Sequence, residues 1–203
     1  GDLLFSKALV LFEGVTEEQI IPAMFQLYFE KSNFCLGISC ISVAGKNYPP
    51  FIKIANSFGI PVCIISDNDG TTYQEVTSQV AKIRTNTPLM LSDNEFFCSF
   101  LSDGKDIEAE LVENLDLRSE VVSALVKTET RGSENPQYIN NKTQKISKLS
   151  ESELIDKMRT TKASYASFLA DIISANVDNK PPEMVIPKAV IAVFEKLKEW
   201  SKV

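Results

Sequence analysis

Five consecutive apolar residues, Ala8-Leu9-Val10-Leu11-Phe12, show no polar alternation and predict a strand covered on both faces, as strands of parallel sheets are. Gly14 follows as a turn. Thr16 with Gln19 three positions on has the form of a capping box, so a helix is expected from Glu17 to about Phe29. Pro22 falls past the first turn and removes one backbone bond, which predicts a bend or tightened turn there. Apolar runs over 37–43 and 61–66 predict the second and third strands, with a helix over 50–58 between them. A helix over 72–83 and a short strand over 89–91 continue the alternation, which is the signature of a parallel α/β sheet. From Asp106 onward the period is helical only, over 107–115, 119–127, 152–158 and 162–175, with a last helix that opens at Pro187. Residues 128–150 are polar, contain Gly132, Pro136 and several Asn, and read as a long, partly disordered loop. The expected division is an α/β core over 1–117, a helical insertion with a polar loop over 118–160, and C-terminal helices over 161–203 that pack back on the core.

Composition narrows the chemistry. The 203 residues are 44% hydrophobic and 24% charged, enough for one globular unit with a real core. No run of eighteen apolar residues occurs, and no basic flank precedes an apolar stretch at the start, so a soluble, cytoplasmic protein, read as a piece of something longer, is expected. There is no His, which removes Ser-His and Cys-His nucleophile pairs, His-ligated zinc and imidazole acid/base catalysis. Cys35, Cys40, Cys63 and Cys98 have no CxxC spacing and suit reduced thiols rather than disulfides or a zinc ribbon. The net charge of −6 is uneven: residues 1–117 carry 7 basic and 16 acidic groups, and residues 118–162 carry 9 and 6. An acidic first half argues against a polyanionic partner unless its carboxylates are metal ligands, because bound divalent cations reverse the local field.

Two acidic clusters follow predicted strands, and the carboxyl edge is where open parallel sheets place their sites. Glu13 leaves the first strand, with Glu17 on the helix that follows; Asp67 and Asp69 leave the third, in Ser66-Asp67-Asn68-Asp69-Gly70. An Asp-x-Asp turn offers two hard oxygen ligands suited to magnesium or manganese. Taken singly, each acid has a plainer role: Asp67 and Asp69 as a turn and helix cap, Glu17 as a favourable charge at a helix start. Together, acids at two strand ends favour a site.

These residues resemble a known family. Leu11-Phe12-Glu13-Gly14 followed by Asp67-Asn68-Asp69-Gly70 looks like the Toprim domain of topoisomerases, primases and some nucleases. The finer resemblance is to the Toprim half of the OLD (overcoming lysogenization defect) family, whose members fuse an ABC-type ATPase to a Toprim nuclease. It is carried by the Glu-Gly-x-Thr-Glu turn, Ala44-Gly45-Lys46, Phe58-Gly59-Ile60-Pro61, Asp106-Ile107-Glu108-Ala109-Glu110-Leu111 and Thr161-Lys162-Ala163-Ser164, across most of residues 7–176.

The resemblance implies a Toprim-type, Rossmann-like parallel sheet with an appended helical region, acting as a metal-dependent DNA endonuclease or nicking module. It implies two divalent cations, Mg2+ or Mn2+, about 4 Å apart for in-line attack on a phosphodiester. Asp67, Asp69 and Glu17 would serve one ion, and Glu13 with Glu108 and Glu110 the other. Glu108 and Glu110 stand two apart, so on a helix they diverge and only one would be a ligand; a charged helix face is the competing role. Glu13 and Lys162 are the expected catalytic residues, the lysine stabilising charge that develops on the phosphate. Lys46, Lys157 and Arg159 are candidate phosphate contacts, and Ser66 stands within reach of an ion's hydration water. Implied partners are DNA, an N-terminal ATPase domain of the same protein, and a helicase or other defence protein, since OLD-type proteins occur in anti-phage systems including Gabija. The chain has no Gly-x-x-x-x-Gly-Lys-Ser/Thr motif and is not expected to hydrolyse ATP alone. Two other readings remain: a topoisomerase- or primase-type transferase, and a non-hydrolytic, phosphate-binding receiver-like domain.

Overall fold

The computed structural model describes residues 5–86, 91–200 and 203. Its centre is a sheet of four strands in the order β2-β1-β3-β4. The strands β1 (Ala8–Phe12), β2 (Ile38–Ser42), β3 (Val62–Ser66) and β4 (Phe96–Phe100) are parallel throughout. Every residue of β1 and β3 is buried, as the unbroken apolar runs require of central strands covered on both faces.

The period of two divides those strands between two cores. Ala8, Val10, Phe12, Cys63 and Ile65 face the larger core, built with α1 (Val15–Phe29), α9 (Lys162–Ala175) and α11 (Lys188–Glu199). Leu9, Leu11, Val62 and Ile64 face the smaller one, closed by α3 (Pro49–Ser57) and α4 (Thr72–Asn86). A four-residue helix, α2 (Asn33–Leu36), precedes β2. Beyond β4 the chain is helical: α5 (Ile107–Glu113), α6 (Arg118–Thr130), α7 (Pro136–Ile146), α8 (Glu151–Thr160), α9, the short α10 (Pro182–Val185) and α11. Helix α9 lies along α1 and α6, and α11 against β4 and β3. The rings of Phe25 and Phe194, 4.4 Å apart, join α1 to α11. Among the described residues all four cysteines are free, and no helix is long and apolar enough to cross a membrane.

Three local expectations are corrected: the cap at Thr16, the loop over 128–150 and the place of the edge strand. The capping box at Thr16 does not form: α1 begins at Val15 with Gly14 as its N-cap, and the Thr16 hydroxyl is spent on Glu108 instead. Pro22 lies inside α1, which runs from Val15 to Phe29. Residues 128–150 are mostly ordered helix rather than loop. Helix α6 extends to Thr130, and α7 is started by the Asn135 side chain, which accepts from the Tyr138 N–H with Pro136 in the first turn. Ile146, fully buried in the larger core, anchors the far end of α7. The edge strand lies at Phe96–Phe100, while Leu91 is a buried residue outside any strand. The rest of the expected 89–91 strand lies outside the described residues.

Candidate functional site

Strand order brings the acidic loops together. Because β1 and β3 are adjacent and in parallel register, with Leu11 opposite Ile64, Glu13 and Ser66 leave the sheet side by side. The Ser66 hydroxyl donates to Glu13 Oε1 at 2.9 Å. On the other side of β1, the turn after β2 closes over the same loop, with the Gly45 N–H donating to the Glu13 carbonyl at 2.8 Å. Asp67 and Asp69 follow β3, and Asp69, exposed just before α4, accepts from the Thr72 hydroxyl at 2.7 Å.

Glu17, on the first turn of α1, is only 5% exposed. It folds back over Gly14, where an added Cβ would stand 3.1 Å from Glu17 Oε2, so a side chain at position 14 would crowd the carboxylate. Glu108, on the first turn of α5, is fully buried. Its Oε1 accepts from the Thr16 hydroxyl at 2.8 Å and from the Tyr165 hydroxyl at 3.0 Å. Its Oε2 lies 3.6 Å from the Lys162 ammonium and has no hydrogen-bond partner.

The electrostatics record how crowded this edge is. Burial raises Glu13 above the usual carboxylate range, against opposing help from Ser66 and Lys46. Glu17 is pushed up to about 7, by burial first and then by Glu108 and Glu13. Asp67 is pushed up to about 8, by burial and then by Glu17, Glu13, Asp106 and Asp69. One Asp67 oxygen, Oδ1, is buried without a partner. Four of the expected acids, Glu13, Glu17, Asp67 and Glu108, thus form one group with Asp69 at its rim.

The other expected residues sit elsewhere or are otherwise engaged. Glu110 points away from Glu108 and accepts from the Ser102 N–H at 3.2 Å and its hydroxyl at 3.0 Å, tying down the turn after β4. Arg159 grips Asp106 through Nε at 2.9 Å and Nη2 at 2.6 Å, and Asp106 in turn caps α5. Lys157 pairs with Glu129, which also binds Lys142 at 2.7 Å. Lys46 pairs with Glu75 at 3.2 Å and is one-third exposed beside the Glu13 loop. The sequence reading missed Thr16, Asp106, Tyr165 and Tyr48. Tyr48 is wholly buried, its hydroxyl has no hydrogen-bond partner, and Glu13 and Asp67 act on it electrostatically. The only available signal was spacing: Tyr165 stands one helical turn beyond Lys162 and therefore on the same face.

The donor set suits a hard divalent cation. It is all carboxylate, two of its buried oxygens lack partners, and its members repel one another as a cation would relieve. Among the described residues, no three acids or thiols are drawn tightly enough together to hold an ion as the side chains stand. Binding would have to gather them further.

Residues 4–69, which hold Glu13, Glu17, Asp67 and Asp69, match the family model "Overcoming lysogenization defect protein-like, TOPRIM domain". No curated protein matches the chain. Among solved structures, the C-terminal region of the Xanthomonas campestris pv. campestris OLD protein is similar at a TM-score of 0.66 and 20% identity, over 98% of this chain and 96% of that one. The C-terminal region of the Burkholderia pseudomallei OLD protein is similar at 0.65 and 19%, over 98% and 100%. Over residues 4–69 the chain is thus similar in sequence to OLD-like Toprim domains, and over nearly its whole length it has the fold of the C-terminal regions of OLD proteins.

Proposed function

We propose that this chain is a divalent-metal-dependent nuclease module that hydrolyses DNA phosphodiesters. The observation that carries the reading is the gathering of Glu13, Glu17, Asp67 and Glu108 at one sheet edge, with two unpartnered buried oxygens and a lysine beside them. Glu13, Glu17, Asp67, Asp69 and Glu108 would hold two ions, Mg2+ or Mn2+. When bound, such ions would activate the attacking water and neutralise charge at the scissile phosphate. Ser66 orients Glu13 through its hydroxyl. Lys162, half exposed, presents its ammonium to a phosphate arriving from solvent and stabilises charge as it develops there. Lys46 stands at the rim as a further phosphate contact. Glu110, Lys157 and Arg159 serve the frame through the contacts described above. The module would act in the cytoplasm on DNA, coupled to an N-terminal ATPase domain of the same protein, in a setting of defence against phage.

Supercoiled plasmid incubated with the chain and Mg2+ or Mn2+ should be nicked and then linearised, and Asp67→Asn should not cleave. A folded parent chain that leaves plasmid intact in both metals would overturn the reading. A covalent protein–DNA adduct in place of free ends would transfer it to the topoisomerase-type alternative.

A further inference from the structure

Glu108 receives its hydrogen bonds in an uneven way. An ionised carboxylate offers about four acceptor positions over two oxygens, and a buried one whose only need is to be satisfied is best served by donors on both. Here both hydroxyl donors converge on Oε1, Thr16 from α1 and Tyr165 from α9. The Tyr165 proton is shared with the Thr16 oxygen at 3.2 Å, so the three groups close a triangle. Oε2 is buried and unpartnered, and its nearest cation, Lys162, stands just beyond hydrogen-bond distance at 3.6 Å. A buried acceptor left unpaired is destabilising, so the unsatisfied oxygen calls for a role.

We infer that Thr16 and Tyr165 are positioning residues: their hydroxyls latch Glu108 by one oxygen so that the other is held toward the cation site. The inference rests on the reading of this edge as a metal centre. Glu108 has three side-chain torsions, and a glutamate with that freedom would have to be ordered each time an ion arrived. The latch orders it in advance. Because Tyr165 and Lys162 share a face of α9, docking that helix on α1 delivers the latch and the lysine together.

Substitutions at Thr16 separate this role from simple packing. Thr16→Val keeps the shape and removes the hydroxyl, whereas Thr16→Ser keeps the hydroxyl and removes a methyl. Mn2+ affinity of the full chain, measured by titration calorimetry or by electron paramagnetic resonance of free Mn2+, should fall about 10–100-fold in Thr16→Val, as partners of metal ligands commonly show when removed. Tyr165→Phe should fall similarly, and Thr16→Ser should stay near the parent. Unfolding of each variant without metal, followed by circular dichroism, checks that the fold is retained. Parent-like Mn2+ binding in Thr16→Val, or an equal loss in Thr16→Ser, would overturn the latch while leaving the metal centre in place. A parent chain that binds no Mn2+ would overturn both.

Discussion

Replacing Glu17 with Gln should stabilise the metal-free protein at pH 8 and do so far less at pH 5. The side chain is almost wholly buried, and its carboxyl is pushed up from 4.5 to about 7. An acid whose pKa is higher in the folded state than in the unfolded chain binds more protons when folded. The stability this contributes is complete below the unfolded value and is lost as pH rises through the folded one. A pKa difference of one between the two states is worth about 1.36 kcal/mol, so ionised Glu17 weighs against the fold by at most ~3 kcal/mol at pH 8. Gln keeps the volume and an acceptor for the backbone N–H but cannot ionise. For a domain of this size 1 kcal/mol moves the melting temperature by about 2–4 °C, so a rise of up to roughly 6–12 °C is expected at pH 8 in chelator. Thermal unfolding by circular dichroism at the two pH values measures it directly. A variant no more stable than the parent at pH 8, or one that gains equally at pH 5, would refute the argument. Adding Mn2+ should invert the order, because the ion supplies what the charge lacks.

The same proton balance extends to the parent protein: with Glu17 at about 7 and Asp67 at about 8, metal-free stability should fall steadily from pH 5 to pH 8.5. A flat or rising melting temperature over that range would contradict it. Asp67→Asn should abolish plasmid cleavage yet melt no lower than the parent in chelator at pH 8, since it removes charge from a repelling group. Ile146→Ala should lower stability by about 2–5 kcal/mol in urea unfolding, as a fully buried anchor does; a loss under about 1 kcal/mol would mean that α7 is not docked as described. Lys145 and Lys148 are exposed, and neutralising both should weaken DNA binding, read by fluorescence anisotropy in Ca2+. The slope of log affinity against log salt should become shallower by about one for each lysine that had neutralised a phosphate.

Strands β1 and β3 were legible because burial on both faces leaves almost only apolar residues, and these two runs, each followed by acids, announce two loops on one edge. Adjacency of β1 and β3 could not be read so directly, yet it makes Glu13 and Asp67 neighbours. Strand β4 escaped notice because Phe96–Phe100 is interrupted by Ser99 and follows the polar run Ser92-Asp93-Asn94-Glu95. Helix α7 was hidden by composition: Gln, Asn, Lys and Thr on its outer face resemble a loop, and a single buried Ile carries much of its docking. Glu108 and Glu110 could be distinguished only by the direction of α5, which turns the first inward and the second onto Ser102. Thr16 looked like a helix cap because its spacing to Gln19 fits one. A tertiary partner 92 positions away claimed the hydroxyl instead.

Thr16 and Tyr165 lie 149 positions apart, and the triangle they complete ties the order of synthesis to the completion of this edge. A nascent chain that has emerged only as far as residue 117 already displays the acids of β1, β3 and α5, but Glu108 then has one donor and no lysine beside it. Emergence of residues 162–175 from the ribosome brings α9 onto α1 and closes the edge. A ribosome that stalls, or a message that ends early, would thus release an acidic sheet without a finished site.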